Sequence, residues 1–188
     1  MSAPPRPSPV RRLLRIVERV LAGVGLLFIV YVLAFDLSVV ASPSMSPTLQ
    51  GTGSGPGQGD WVLAERASYW FRSPRRWDVV AFENADGIPV MKRVVGLPGE
   101  TLSLEGGAVR VGDSVPPRPK SLASLAYLPY GTLRKGAKAP CGRGYFVLGD
   151  HSSDSQDSRF EGTVEAGRIR GRAFLVVWPP SRIGFVNP

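Results

Sequence analysis

The chain has little of what most hydrolases and metal sites are built from. Among 188 residues there is one cysteine, Cys141, and one histidine, His151. A single cysteine excludes an intramolecular disulfide, and no metal or cofactor is expected. Lysine is also scarce. Only Lys92, Lys120, Lys135 and Lys138 occur, so arginine carries most of the +8 formal charge. The arginines are scattered, with no basic run interleaved with aromatics. That argues against a nucleic-acid partner and for attraction to an anionic bilayer surface. Beyond the N-terminus no helical periodicity persists for more than three turns, which excludes a helical bundle. Glycine (22) and proline (18) are frequent, as turn-rich β structure requires.

One long apolar run is present. VLAGVGLLFIVYVLAF, residues 20–35, is uncharged. As a helix it measures roughly 24 Å, a little short of a roughly 30 Å hydrocarbon core, so it spans without tilt. Arg6, Arg11, Arg12, Arg15 and Arg19 precede it against Glu18, and no Lys or Arg follows until Arg66. The positive-inside rule then puts the N-terminus in the cytoplasm and the remainder outside. The expected layout is a basic cytoplasmic segment (1–19), a transmembrane signal anchor (20–36) and an extracytoplasmic β-rich domain (37–188). A removable signal peptide cut after Ala41 competes, because Val39-Val40-Ala41 offers small residues at suitable spacing.

From residue 60 onward, short β-branched and aromatic runs alternate with turn signals. Strands are predicted at 61–67, 77–84, 89–96, 100–105, 108–113, 144–150 and 172–178, with Gly106-Gly107 as a hairpin turn. The fold class is therefore mostly β: an antiparallel domain behind one transmembrane helix. Residues 114–143, rich in Pro, Gly and basic side chains, read as an inserted loop or subdomain. GTGSGPGQG (51–59) lacks the GK[ST] ending of a phosphate loop and reads as a flexible loop.

Serine chemistry has three arrangements to choose from. A Ser-His-Asp triad must use His151, beside Asp150 and Asp154. A cysteine nucleophile must be Cys141. A Ser-Lys dyad needs a neutral lysine, and near pH 7.5 a free amine is deprotonated in only about one molecule in a thousand. Bringing it to working pH costs roughly 4 kcal/mol of solvation, which burial among apolar residues supplies. Of the four lysines only Lys92, in IPVMKRVVGLPG, has such flanks. A solvated strand lysine fits the same pattern, so the residues alone leave all three arrangements open.

Five segments in order carry a resemblance: SPSMSPTL (42–49), GDWVLAER (59–66), WDVVAF (77–82), MKRVVGLPGE (91–100) and GDHSSDSQDSRFEG (149–162). With the N-terminal span they resemble type I signal peptidases, membrane-bound serine endopeptidases that remove signal peptides from exported preproteins. The similarity runs over about residues 15–184. It implies Ser44 as nucleophile, Lys92 as general base and Ser42 as a hydroxyl donor in the oxyanion hole. It implies Ser155 as the residue that orients the lysine, and Asp157 with Arg159 as an ion pair behind the site. It also implies an extended substrate added as a strand beside 38–42 and 89–92. Val40, Leu49 and Met91 are candidates to line pockets for small side chains. Trp61, Trp70, Phe71 and Trp77 are candidates for an aromatic surface at the bilayer. The chain departs from the family pattern at His151, where asparagine is usual, at Pro43, where glycine is common, and in the longer glycine-rich loop.

The partners implied are exported preproteins and the lipid bilayer, with the chain acting as a monomer. The implied location is the bacterial cytoplasmic membrane, single-pass. Two rival readings remain at this stage: a specialised relative with one dedicated substrate, and a tethered β binding module without activity.

Overall fold

The computed structural model describes residues 8–52 and 59–186. Helix α1 (Pro9–Ala34) is 26 residues long, about 39 Å at 1.5 Å per residue. It is apolar enough to cross a membrane by length and composition. The chain divides into two compact units between Ala34 and Phe35.

The second unit is antiparallel throughout. Strands β1 (Phe35–Val39), β2 (Trp61–Glu65), β3 (Val79–Glu83), β4 (Pro89–Gly96), β5 (Thr101–Glu105), β6 (Ala108–Val111), β7 (Ala139–Pro140), β8 (Phe146–Leu148), β9 (Ile169–Trp178) and β10 (Gly184–Phe185) build two sheets. The larger runs β1-β2-β9-β3-β4-β8, with β10 on β9; the smaller runs β6-β5-β7. Every strand pair is antiparallel, as the alternating runs and tight turns require. Gly106 and Gly107 take φ of 57° and 80° in the β5–β6 hairpin, a geometry glycine adopts without steric cost.

Strand β1 carries no signal of its own in the sequence, since its apolar residues continue the preceding run. Pairing with β2 from Phe35↔Glu65 to Val39↔Trp61 makes it an integral strand. Val40, just beyond, is buried in the core with Met45, Leu49, Val62 and Val176. A cut after Ala41 would remove both β1 and Val40 from this packing.

Central strand β3 is buried on both faces. Val79 joins the cluster beneath Met45, whereas Val80 joins another with Phe82, Val94 and Val147. A third cluster, under the small sheet, takes Leu122, Leu125, Tyr127, Leu133 and Cys141 from residues 114–143. Trp77 belongs to it as well and is 6% exposed. The expectation of an interfacial Trp77 is thereby corrected: its indole N–H donates to the Pro117 carbonyl, and an indole so paired is at home in a core. Trp61, Trp70 and Phe71 do reach the surface.

Candidate active site

Ser44 sits in a single 3₁₀ turn, Pro43–Met45, just after β1. Proline is suited to the opening of such a turn, because its φ is preset and the missing N–H would have no partner there. Ser42 precedes it at the position where a serine ordinarily caps, yet its side chain makes no cap. Its hydroxyl instead lies 3.0 Å from Ser44 Oγ. Behind Ser42, Gly51 has its Cα directly against the Ser42 backbone, where a Cβ has no room. The glycine-rich loop thus has a packing role at its ends. Thr52 donates its N–H to the Val40 carbonyl and its hydroxyl to that of Ala41. Residues 53–58 lie outside the described residues.

Lys92 is in the middle of β4, buried to 4% exposure, and its Nζ donates to Ser44 Oγ at 2.5 Å. Burial holds its pKa below the ordinary lysine value, against the opposing pull of Asp157, Glu161 and Asp150. Consecutive strand residues face opposite ways, so Arg93 points to the other side of β4. There it forms a two-point ion pair with Asp150, at 2.8 and 2.7 Å. Arg93 also donates to the Trp77 carbonyl, Thr48 donates to Asp150 at 2.5 Å, and Tyr127 donates to Asp150 at 3.4 Å. Burial and the Asp150 charge both push the Tyr127 phenol up, keeping it a donor.

The segment after β8 closes on Ser44 from behind. The His151 N–H donates to the Ser44 carbonyl at 3.0 Å. Gly149 passes between that carbonyl and Ser155, with no space for a side chain. Asp157 and Arg159 form a fully buried ion pair at 2.7 Å. Arg159 further donates to the Ser152 hydroxyl and carbonyl and to the Leu128 carbonyl, and the Gly149 N–H donates to Asp157. The Ser155 hydroxyl donates to Asp157 Oδ2 at 2.8 Å, whereas the Lys92 amine turns to Ser44. Asp157 accepts that hydrogen bond, and its charge acts on Lys92.

A cleft of about 170 Å³ opens beside Ser44 between residues 38–42 and 88–91. Val40, Met45, Ala81, Val90 and Met91 line it. Leu49 does not: it is 0% exposed and packs in the core beneath Met45. β4 pairs with β8 only from Arg93 onward, so Pro89–Lys92 present an unpaired edge. The other two nucleophile arrangements are not assembled. Cys141 is buried against Gly96 and Phe146, with its thiol pushed up to about 11 by desolvation. His151 is exposed and reaches Ser44 through its main chain.

Arg93, Asp150, Thr48 and Gly149 belong to the quoted motifs but received no role from the sequence. Their signal was membership of those segments; the contacts of Arg93 and Thr48 with Asp150, and of Gly149 with Ser44, are long-range. A serine hydroxyl beside a desolvated amine, next to a strand-lined apolar cleft, suits a peptidase, and comparison with known proteins agrees. The family profile "Signal peptidase, peptidase S26" matches residues 13–178. The chain belongs to the signal peptidase family.

It is therefore a serine endopeptidase, and the reading as an inactive binding module falls away. The signal peptidase I of Leptolyngbya laminosa is 32% identical over 158 residues, covering 79% of this chain and 71% of that one. A probable signal peptidase I-2 of Synechocystis sp. is 33% identical over 155 residues, covering 79% and 65%. Signal peptidase I V of Bacillus subtilis is 32% identical over 141 residues, covering 70% and 79%.

Proposed function

We propose that this signal peptidase cleaves exported preproteins with a Ser44–Lys92 dyad. The observation that carries the reading is the 2.5 Å approach of a buried, desolvated amine to Ser44 Oγ. Neutral Lys92 takes the Ser44 proton as Oγ attacks the scissile carbonyl. The Ser44 N–H and the Ser42 hydroxyl receive the oxyanion, an effect worth about 3–4 kcal/mol for a well-placed donor. The lysine then protonates the leaving amine. In the second half it deprotonates the water that hydrolyses the acyl-enzyme. Ser155, Asp157 and Arg159 hold the wall behind the nucleophile, together with Gly149.

The substrate lies extended between residues 38–42 and Pro89–Lys92, where the open edge of β4 supplies main-chain partners. Its small residues enter the cleft bounded by Val40 and Met91. The machinery is complete within one chain, which supports action as a monomer.

The layout is a basic cytoplasmic N-terminus, a single spanning segment within α1, and an extracytoplasmic domain at a bacterial inner membrane. The arginines ahead of the run and the apolar length of α1 support this. Contact with lipid is supported by an outward sheet face. Leu37, Leu63, Leu175 and Phe185 align across four strands, and Val39, Trp61 and Trp178 form the next row. Leu37, Val39, Trp61, Trp178 and Phe185 are all exposed. The deciding experiment is cleavage of a preprotein in detergent by wild type, Ser44→Ala and Lys92→Ala. Activity in Ser44→Ala would end the proposal.

A further inference from the structure

A second cleft, of about 510 Å³, lies at the end of the sheet where β1 begins and plays no part in the chemistry above. Its charged lining consists of Arg66, Arg72 and Arg170, with no carboxylate. Each guanidinium is held from outside by one acid. Arg66 meets Asp36 at 3.4 Å, Arg72 meets Asp78 at 2.9 Å, and Arg170 meets Glu83 at 2.5 Å. Each guanidinium has five N–H donors, more than one carboxylate occupies. Arg66 Nε itself is buried and has no hydrogen-bond partner among the described residues. An anion in the cleft would add charge-assisted hydrogen bonds to these partly exposed guanidiniums.

The rim is of another character. The short helix α2 (Ala67–Phe71) carries Trp70 and Phe71, which are 60% and 88% exposed. A phenylalanine this bare, beside three guanidiniums, marks a surface made for an apolar phase next to an anion. Arg66 pairs with Asp36 near the start of β1.

We propose that this cleft binds the phosphate of an anionic phospholipid, with Arg66, Arg72 and Arg170 on the headgroup and Trp70 and Phe71 in the acyl boundary. A free phosphate has the same charge chemistry but no use for the aromatic rim. The inference rests on the membrane-anchored reading of α1.

The test uses the full chain in a neutral detergent. It is titrated with dihexanoyl phosphatidylglycerol, dihexanoyl phosphatidylcholine or inorganic phosphate, and bound species are counted by native mass spectrometry. Phosphatidylglycerol should bind about tenfold more tightly than phosphatidylcholine, and Arg66→Gln with Arg170→Gln should erase that preference. Cleavage of a short soluble peptide should stay within about twofold, since neither arginine touches the dyad. Equal binding of the two lipids, or a preference that survives the double substitution, would overturn the site. Displacement of phosphatidylglycerol by equimolar inorganic phosphate would overturn the lipid assignment. If the double variant does not fold, Trp70→Ala with Phe71→Ala provides the second reading. It should weaken phosphatidylglycerol binding, and unchanged binding again counts against the proposal. Flotation with phosphatidylcholine vesicles tests the anchor separately: wild type and the arginine variant should float alike, and failure of both strikes the anchor while leaving the detergent result intact.

Discussion

Lys92 Nζ and Ser44 Oγ are 2.5 Å apart although 48 positions separate the residues in the chain. β4 holds the amine and the turn after β1 holds the hydroxyl. Each therefore depends on a different part of the sheet, and the predictions below separate the chemistry from that support.

Replacing Ser44 or Lys92 by alanine should lower the rate of preprotein cleavage by at least about a thousandfold, and the double variant should be no worse than either single one. Lys92→Arg should not rescue, because guanidinium stays protonated. Rates are measured beside circular dichroism to show that the fold persists. A fully active Lys92→Ala would send the base role elsewhere, to His151.

Activity should rise with pH through a midpoint below the ordinary lysine value, since burial lowers the Lys92 pKa and only the neutral amine accepts the Ser44 proton. Stability follows the same sign. Between the lowered folded pKa and the ordinary value of 10.5, the unfolded chain binds the extra proton, so stability rises with pH across that window. The cost of burying the amine is greatest below it. Lys92→Met should then raise the melting temperature more at pH 6 than at pH 10.5. A larger gain at the higher pH would contradict a desolvated lysine.

Asp150→Ala should cost about 3–5 kcal/mol, because it leaves the wholly buried Arg93 guanidinium without its anion. Thr48→Val, which removes one hydroxyl from the same group, should cost about 1–2 kcal/mol. Urea unfolding followed by tryptophan fluorescence gives both numbers. Near-equal losses would mean that Asp150 is not the centre of the network.

Gly149→Ala should reduce kcat more than it raises KM. The new methyl group has to displace the Ser44 carbonyl or the Ser155 side chain, at about 1–3 kcal/mol of strain. The substrate cleft is bounded by other residues. A KM effect alone would place the strain outside the nucleophile turn.

The sequence by itself determined the parts that local chemistry controls. The apolar run, the antiparallel class, strand 89–96 and the Gly106-Gly107 hairpin are all legible from periodicity and turn residues. Lys92 stood out because a lysine among valines and methionine is rare. Strand β1 was illegible because an apolar helix that continues directly into a strand paired with β2 reads as one run. Trp77 looked like a surface aromatic because composition does not say which side of a turn an indole takes. Its burial depends on Pro117 and the small sheet.

Only the tertiary structure decided the pairings. Arg93 with Asp150 is 57 positions apart, and Thr48 with Asp150 is 102. No local preference encodes such partners; they follow from which strands lie side by side. The same holds for Ser155, whose hydroxyl goes to the nearer carboxylate of Asp157, and for Leu49, which the turn directs into the core. What a residue is made of was readable from the chain, but which atom it faces was set by the sheet.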